Sequence, residues 1–297
     1  MSRVGFIGVG VMGAPMARNL LGAGHRVRVF DTSAAALAAV VRDGATEAGS
    51  AREAAEGAEY VITMLPTGRH VADAVLGPDG IAEALDPAAL LIDMSTGLPA
   101  HFDATAEVLA ASGRRMIDAP VGRTSKDAEA GTLLVMAGGS AEDLDRALPI
   151  LEILGDPVIH CGPRGAGIRT KLVNNYVSVV SNVVVAEALT LAEGEGLDRD
   201  LVIEVLMGTT AGQGHLATTY PAKVLAGDLE PGFMIDLAHK DLGLAIGMAT
   251  AGGAAHGTGL AALECYSSAR DQGMGRLDWT AIYSLVRRSA GLGDTTP

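Results

Sequence analysis

RVGFIGVGVMGAPMARNLLGAGHRVRVFD, residues 3–31, is the stretch that decides the fold. The short apolar run at 3–7 reads as a strand, 12–21 as a helix and 26–30 as a second strand. Between the first two, Gly8, Gly10 and Gly13 fall in the spacing G-x-G-x-x-G. In that context Gly8 makes a tight turn, Gly10 lets backbone approach a pyrophosphate, and Gly13 permits close helix–strand packing. The helix N-terminus then offers unpaired N–H groups to phosphate. Such a motif alone is weak in a chain with 39 glycines among 297 residues, so the strand, helix and strand around it carry the argument. Asp31 closes the second strand, where a carboxylate accepts from ribose hydroxyls and repels a 2′-phosphate. This predicts NAD (as NADH) over NADP, against the plainer reading of Asp31 as a turn residue before Thr32 and Ser33.

The alternation continues outward. Apolar runs at 60–65, 90–94, 115–117, 132–137 and 158–161 read as strands, with helical stretches such as 34–43 and 101–111 between them, the pattern of a parallel sheet. After the turn-rich CGPRGAG at 161–167 the strand signal fades. Residues 168–195 read as one long helix whose valines require burial to hold it. Further helices are expected at 201–207, 234–251 and 260–271. The fold class is therefore α/β: a Rossmann domain over 1–163, a long interdomain helix, and an all-helical domain over 164–297.

Lys plus Arg number 22 and Asp plus Glu 35, a net charge of −13. That excludes a nucleic-acid partner, which needs a basic footprint, and any anionic substrate needs its positive groups gathered locally. With 48% hydrophobic and 3% aromatic residues, the core must be aliphatic. No apolar run reaches the 18 or so residues that span a bilayer, so no membrane partner is expected. The glycines of the first run have another use than a signal peptide, and Cys161 and Cys265 form no spaced pair. A cytoplasmic protein without a metal site is expected.

Lys171, Asn174, Asn175, Ser178 and Asn182 recur at helical spacing amid valines and share one face. Such a stripe is either a hydrated domain interface or a substrate wall. Lys171 favours the wall: an aldehyde receiving hydride develops negative charge on oxygen, which a positioned ammonium can stabilise and protonate. Partial burial would lower its pKa toward neutrality. Asn175, one turn along, could fix the ammonium.

Residues 6–31, IDMST at 92–96, DAPV at 118–121, KLVNN at 171–175 and FMIDLAHKDLGLA at 233–245 together resemble the β-hydroxyacid dehydrogenases of the 3-hydroxyisobutyrate dehydrogenase type. The resemblance spans nearly the whole chain. It implies a helical C-terminal domain that dimerises, hence a homodimer or homotetramer, and Lys171 as the catalytic residue. It also implies that Val11, Met12, Asp31, Leu65, Thr96 and Lys240 surround the cofactor.

One departure is informative. Where most members follow DxPV with Ser-Gly-Gly, this chain has Gly122-Arg123-Thr124 and then Ser125. A guanidinium and two hydroxyls suit an oxyanion richer in acceptor oxygens than a carboxylate. The variant, with GTLLVMAGG at 131–139, GTTAGQGH at 208–215 and KVLAGDL at 223–229, resembles the sulfolactaldehyde-reducing branch of the family. The expected activity is thus NADH-dependent reduction of 3-sulfolactaldehyde to 2,3-dihydroxypropane-1-sulfonate in sulfoglycolysis. Gly122, Arg123, Thr124, Ser125, Asn174 and Ser178 would bind the substrate. The alternative is a carboxylated semialdehyde with Arg123 on the carboxylate. A nucleotide sensor without turnover is disfavoured by Lys171, and His215 either touches substrate or caps a helix.

Overall fold

A computed structural model describes residues 1–215 and 217–291; the side chains of some helical residues between 178 and 252, Ser178 and Lys240 among them, lie outside the described ones. The strands are β1 (Arg3–Ile7), β2 (Arg26–Phe30), β3 (Thr46–Glu47), β4 (Tyr60–Thr63), β5 (Leu90–Asp93), β6 (Arg115–Asp118), β7 (Val121–Gly122), β8 (Leu133–Gly138) and β9 (Gly155–Gly162). Among them run α1 (Gly13–Gly22), α2 (Ala34–Arg42), α3 (Ala51–Ala55), α4 (Gly68–Leu76), α5 (Ile81–Ala84), α6 (Pro99–Ala111), α7 (Ser125–Ala130) and α8 (Ala141–Leu154). Then follow α9 (Ala166–Gly194), α10 (Arg199–Met207), α11 (Thr210–Gln213), α12 (Ile235–Gly252), α13 (Gly257–Asp271) and α14 (Ile282–Ser289).

The sheet order is β3-β2-β1-β4-β5-β6-β8-β7, with β9 on β8. The pairs from β3 to β6 are parallel, whereas β8 runs antiparallel to β6. The two-residue β3 and β7 are too short for a periodicity argument to find. Helices cover both faces. Met16, Leu20, Leu37, Val40, Ile150 and Leu151 of α1, α2 and α8 fill one side, and Val71, Val75, Ile81, Phe102 and Leu109 of α4, α5 and α6 fill the other. The layers are mainly aliphatic as expected, with Phe6 and Phe102 buried in them and Tyr60 and Phe30 packed against them.

Contacts divide the chain into two compact units, Met1–Tyr176 and Val177–Pro297. The second is helical around its own cluster of Ile235, Ala269, Met274, Ala281 and Leu285. The long helix α9 starts in the first unit and ends in the second. Among the described residues no helix is long and apolar enough to cross a membrane, and no group of His, Cys, Asp and Glu could hold a metal ion.

Candidate active site

One row of residues organises the first unit. Register pairs Phe30 with Ile7, Ile7 with Thr63, Thr63 with Asp93 and Asp93 with Asp118, so five parallel strands end level with one another. In open α/β sheets ligands bind beyond such strand ends, where the strand order reverses. Here that point lies between β1 and β4.

A cavity of about 790 Å³ opens there. Gly8, Gly10, Val11, Met12 and Gly13 line it from the turn after β1, Asp31 from the end of β2 and Leu65 from the end of β4. The backbone explains the glycines. Gly8 has φ +94°, and a Cβ on Gly13 would lie 1.9 Å from the Gly8 carbonyl oxygen. The α1 N-cap, Met12, makes no side-chain cap, whereas α2, α3, α4 and α8 are capped by Ser33, Ser50, Thr67 and Ser140. A glycine turn leading into an uncapped helix N-terminus fits a pyrophosphate.

Asp31 braces the turn it follows and still faces the cavity. Its Oδ2 accepts from Val9 N at 2.8 Å, bracing the turn, and its Oδ1 accepts from Ser33 N at 2.8 Å. A carboxylate has about four acceptor sites, so the half-buried group keeps capacity for a diol. Arg28 is turned elsewhere: its Nη1 donates to Glu53 O at 2.7 Å, at the C-terminal end of α3. Thr96 follows β5 without lining the cavity.

Two aspartates in the row went unassigned in the sequence. Asp93 is buried; its Oδ1 accepts from Thr63 Oγ1 at 2.9 Å and Ser95 N at 3.0 Å. Ser95 Oγ in turn accepts from Leu65 N at 2.9 Å, which ties the Leu65 wall of the cavity to Asp93. Burial pushes the Asp93 carboxyl up to about 6. Asp118 is 1% exposed, and burial raises its pKa too. Its Oδ1 accepts from Gly165 N at 2.6 Å and its Oδ2 from Ile168 N at 2.7 Å, so it caps α9 across the fold. Both residues lie in family-like motifs, IDMST at 92–96 and DAPV at 118–121. A carboxylate ending a buried strand demands partners, and that was the available signal.

Lys171 stands one turn past Ile168, half-buried, and burial lowers its pKa. Asn174 Nδ2 donates to Asn175 Oδ1 at 3.3 Å, so the described bond of Asn175 is to its neighbour and not to the ammonium. In the loop, Gly122 belongs to β7 and Arg123 adopts φ +75°, a left-handed backbone unusual for a non-glycine residue. Arg123 Nη1 donates to Thr132 O and, at 2.9 Å, to Asp156 O. Thr124 Oγ1 donates to Asp127 Oδ2 at 2.7 Å in the capping box of α7, which opens with Ser125. No described hydrogen bond joins this loop to Lys171, Asn174 or Asn175. The side chains of Ser178 on α9 and Lys240 on α12 lie outside the described residues. His215 packs edge-on against Trp279 at 4.7 Å between ring centroids, and its Nδ1 is 2.9 Å from Thr219 Oγ1.

Residues 3–162 match the family model for the NAD binding domain of 6-phosphogluconate dehydrogenase. Residues 165–286 match the one for the NAD-binding of NADP-dependent 3-hydroxyisobutyrate dehydrogenase. The chain is 49% identical to the 3-sulfolactaldehyde reductase of Escherichia coli (strain K12) over 98% of both chains. It is 39% identical to the 3-hydroxyisobutyrate dehydrogenase of Pseudomonas aeruginosa over 97% of this chain and 99% of that one. Among solved structures, a Mycobacterium tuberculosis 3-hydroxyisobutyrate dehydrogenase with L-serine superposes with TM-score 0.68 at 37% identity, covering 97% of this chain and 99% of that one. The chain belongs to the β-hydroxyacid dehydrogenase family, and is an NAD-dependent oxidoreductase acting on a CH–OH group or the corresponding aldehyde.

Proposed function

We propose that the protein reduces 3-sulfolactaldehyde to 2,3-dihydroxypropane-1-sulfonate with NADH. Arg123 is the observation that carries the substrate. It occupies a left-handed backbone position and its Nη1 is tethered to two carbonyls, so the cation is fixed in place. A guanidinium has five N–H donors, and those beyond Nη1 can meet the three oxygens of a sulfonate. Gly122, Thr124, Ser125, Asn174 and Ser178 complete the anion site in this reading. The high similarity to the E. coli reductase points the same way.

NADH, when bound, supplies the hydride. Gly8, Gly10, Val11, Met12 and Gly13 would hold its pyrophosphate end, Asp31 its ribose, and Leu65, Thr96 and Lys240 its flanks. The Lys171 ammonium faces the carbonyl oxygen, stabilises the charge that builds there and delivers a proton from Nζ. Its lowered pKa makes it a readier acid. Asn175 supports the same stripe. Residues 1–163 act as the NAD domain and 164–297 as the substrate and dimerisation domain of a cytoplasmic homo-oligomer.

NADH oxidation with 3-sulfolactaldehyde and succinate semialdehyde side by side tests the reading. We expect kcat/KM to favour the sulfonate at least tenfold; a preference for the carboxylate overturns it in favour of a semialdehyde reductase. Lys171→Ala should lose about 10²–10⁴-fold in kcat while still binding NADH. Arg123→Ala should raise KM for the sulfonate, and an unchanged KM removes that residue from the site.

A further inference from the structure

The proton-donor role of Lys171 leaves open what places it, because the glycine-rich turn before α9 is tied to the end of β8 upstream of the helix, where Gly139 N donates to Gly162 O at 3.0 Å. Asp118 supplies the missing constraint. Its side chain is buried at the end of β6, level with Thr63 and Asp93 in the strand-end row. It receives Gly165 N and Ile168 N, the amides that straddle the first turn of α9. The contact is tight: a Cβ on Gly138 would lie 2.5 Å from Asp118 Oδ1 and 2.8 Å from Gly167 N, so the strand and the helix start meet with the carboxylate between them. Negative charge at a helix N-terminus also complements its dipole. A second tether, from Arg169 to Asp103 of α6, is a solvent-exposed ion pair and holds weakly.

The geometry points to Asp118 as a positioning residue for catalysis: it fixes the height of α9 against the sheet and so the place of the Lys171 ammonium relative to the cofactor cleft. The three strand spacings from β1 to β6 put the cradle and the helix start roughly 14 Å apart along one edge. Proton transfer is sensitive to such placement, since an error of about 1 Å can cost 10²-fold in rate. Asparagine at 118 would present its amide N–H to one of the two donors and push the helix start away. This inference rests on Lys171 being the proton donor.

The test is a double-mutant cycle on the full-length protein with Asp118→Asn, Lys171→Ala and the pair, measuring kcat, KM and NADH dissociation constants. Asp118→Asn should lower kcat at least tenfold with NADH affinity changed less than twofold. It should cause no further loss in the Lys171→Ala background, because groups that act through one another are not additive. Losses that multiply, or full activity of Asp118→Asn, overturn the inference. Full activity of Lys171→Ala instead overturns the proton-donor reading, a separate outcome. If Asp118→Asn does not fold, Gly138→Ala shifts the same clamp from the strand side and should show the same lowered kcat at unchanged NADH affinity. An unaltered kcat in that variant counts against the clamp.

Discussion

Asp31 and Asp118 are two carboxylates at strand ends of one sheet, each accepting two backbone N–H groups, yet they do opposite things. Asp31 is half-buried beside the cavity, takes Val9 N and Ser33 N, and keeps acceptor capacity. Asp118 is sealed, takes Gly165 N and Ile168 N, and has no face toward solvent. The same chemistry keeps acceptor capacity beside a cavity where it stays open and is used up on a helix where it is closed. Exposure decides which.

The strongest way to break the contrast is alanine at each position. Asp118→Ala leaves two buried N–H groups without an acceptor, at roughly 1–3 kcal/mol each. A stability loss of about 2–6 kcal/mol should appear in urea unfolding. Asp31→Ala lets water reach both donors and should lose about 1 kcal/mol or less, its deficit appearing in NADH affinity. If Asp31→Ala proved the more destabilising of the two, burial would not be what separates them.

Legibility in the sequence followed the same division. Asp31 is singled out by its place at the end of the second strand after the glycine motif, although its bond to Val9 N, 22 residues back, is not visible there. Asp118 could not be read, since its partners lie 47 and 50 residues on, and only the sheet register brings them together. The long α9, expected at 168–195, runs Ala166–Gly194, since no Gly or Pro interrupts 168–193 and the stretch is too long for a strand. The loop at 122–125 was legible as chemistry and not as geometry. Nothing in Gly-Arg-Thr-Ser announces that Arg123 tethers to Thr132 and Asp156 or that Thr124 joins Asp127 in a capping box.

Asp93 sharpens the contrast, being a buried carboxyl that bonds mainly to its own neighbourhood. Its pKa of about 6 lies above the ordinary 3.8 because burial disfavours the charge more than its hydrogen bonds restore it. A raised pKa means that the fold prefers the protonated form. The associated stability is complete below about pH 4 and is lost as pH rises through about 6, a swing of about 3 kcal/mol. Asp93→Asn keeps a neutral side chain at every pH. The difference in unfolding free energy, variant minus parent, should therefore move in favour of asparagine by about that amount between pH 4 and pH 7. A flat difference would show that Asp93 ionises inside the fold as easily as outside it.

The smallest expected effect probes the open carboxylate alone. Asp31→Ser removes the charge proposed to face the ribose and keeps a short acceptor for Val9 N, so the glycine turn should survive. Loss of a charge-assisted hydrogen bond weakens NADH binding, while loss of repulsion toward a 2′-phosphate strengthens NADPH binding. The two changes shift the numerator and the denominator of one ratio and so add, each being worth roughly 0.7–1.4 kcal/mol. The preference for NADH over NADPH in kcat/KM should then fall by roughly 10- to 100-fold, with an unfolding midpoint close to that of the parent. A preference that stayed constant would mean that the Asp31 carboxylate serves only Val9 N and Ser33 N, making it, like Asp118, a group spent on the fold.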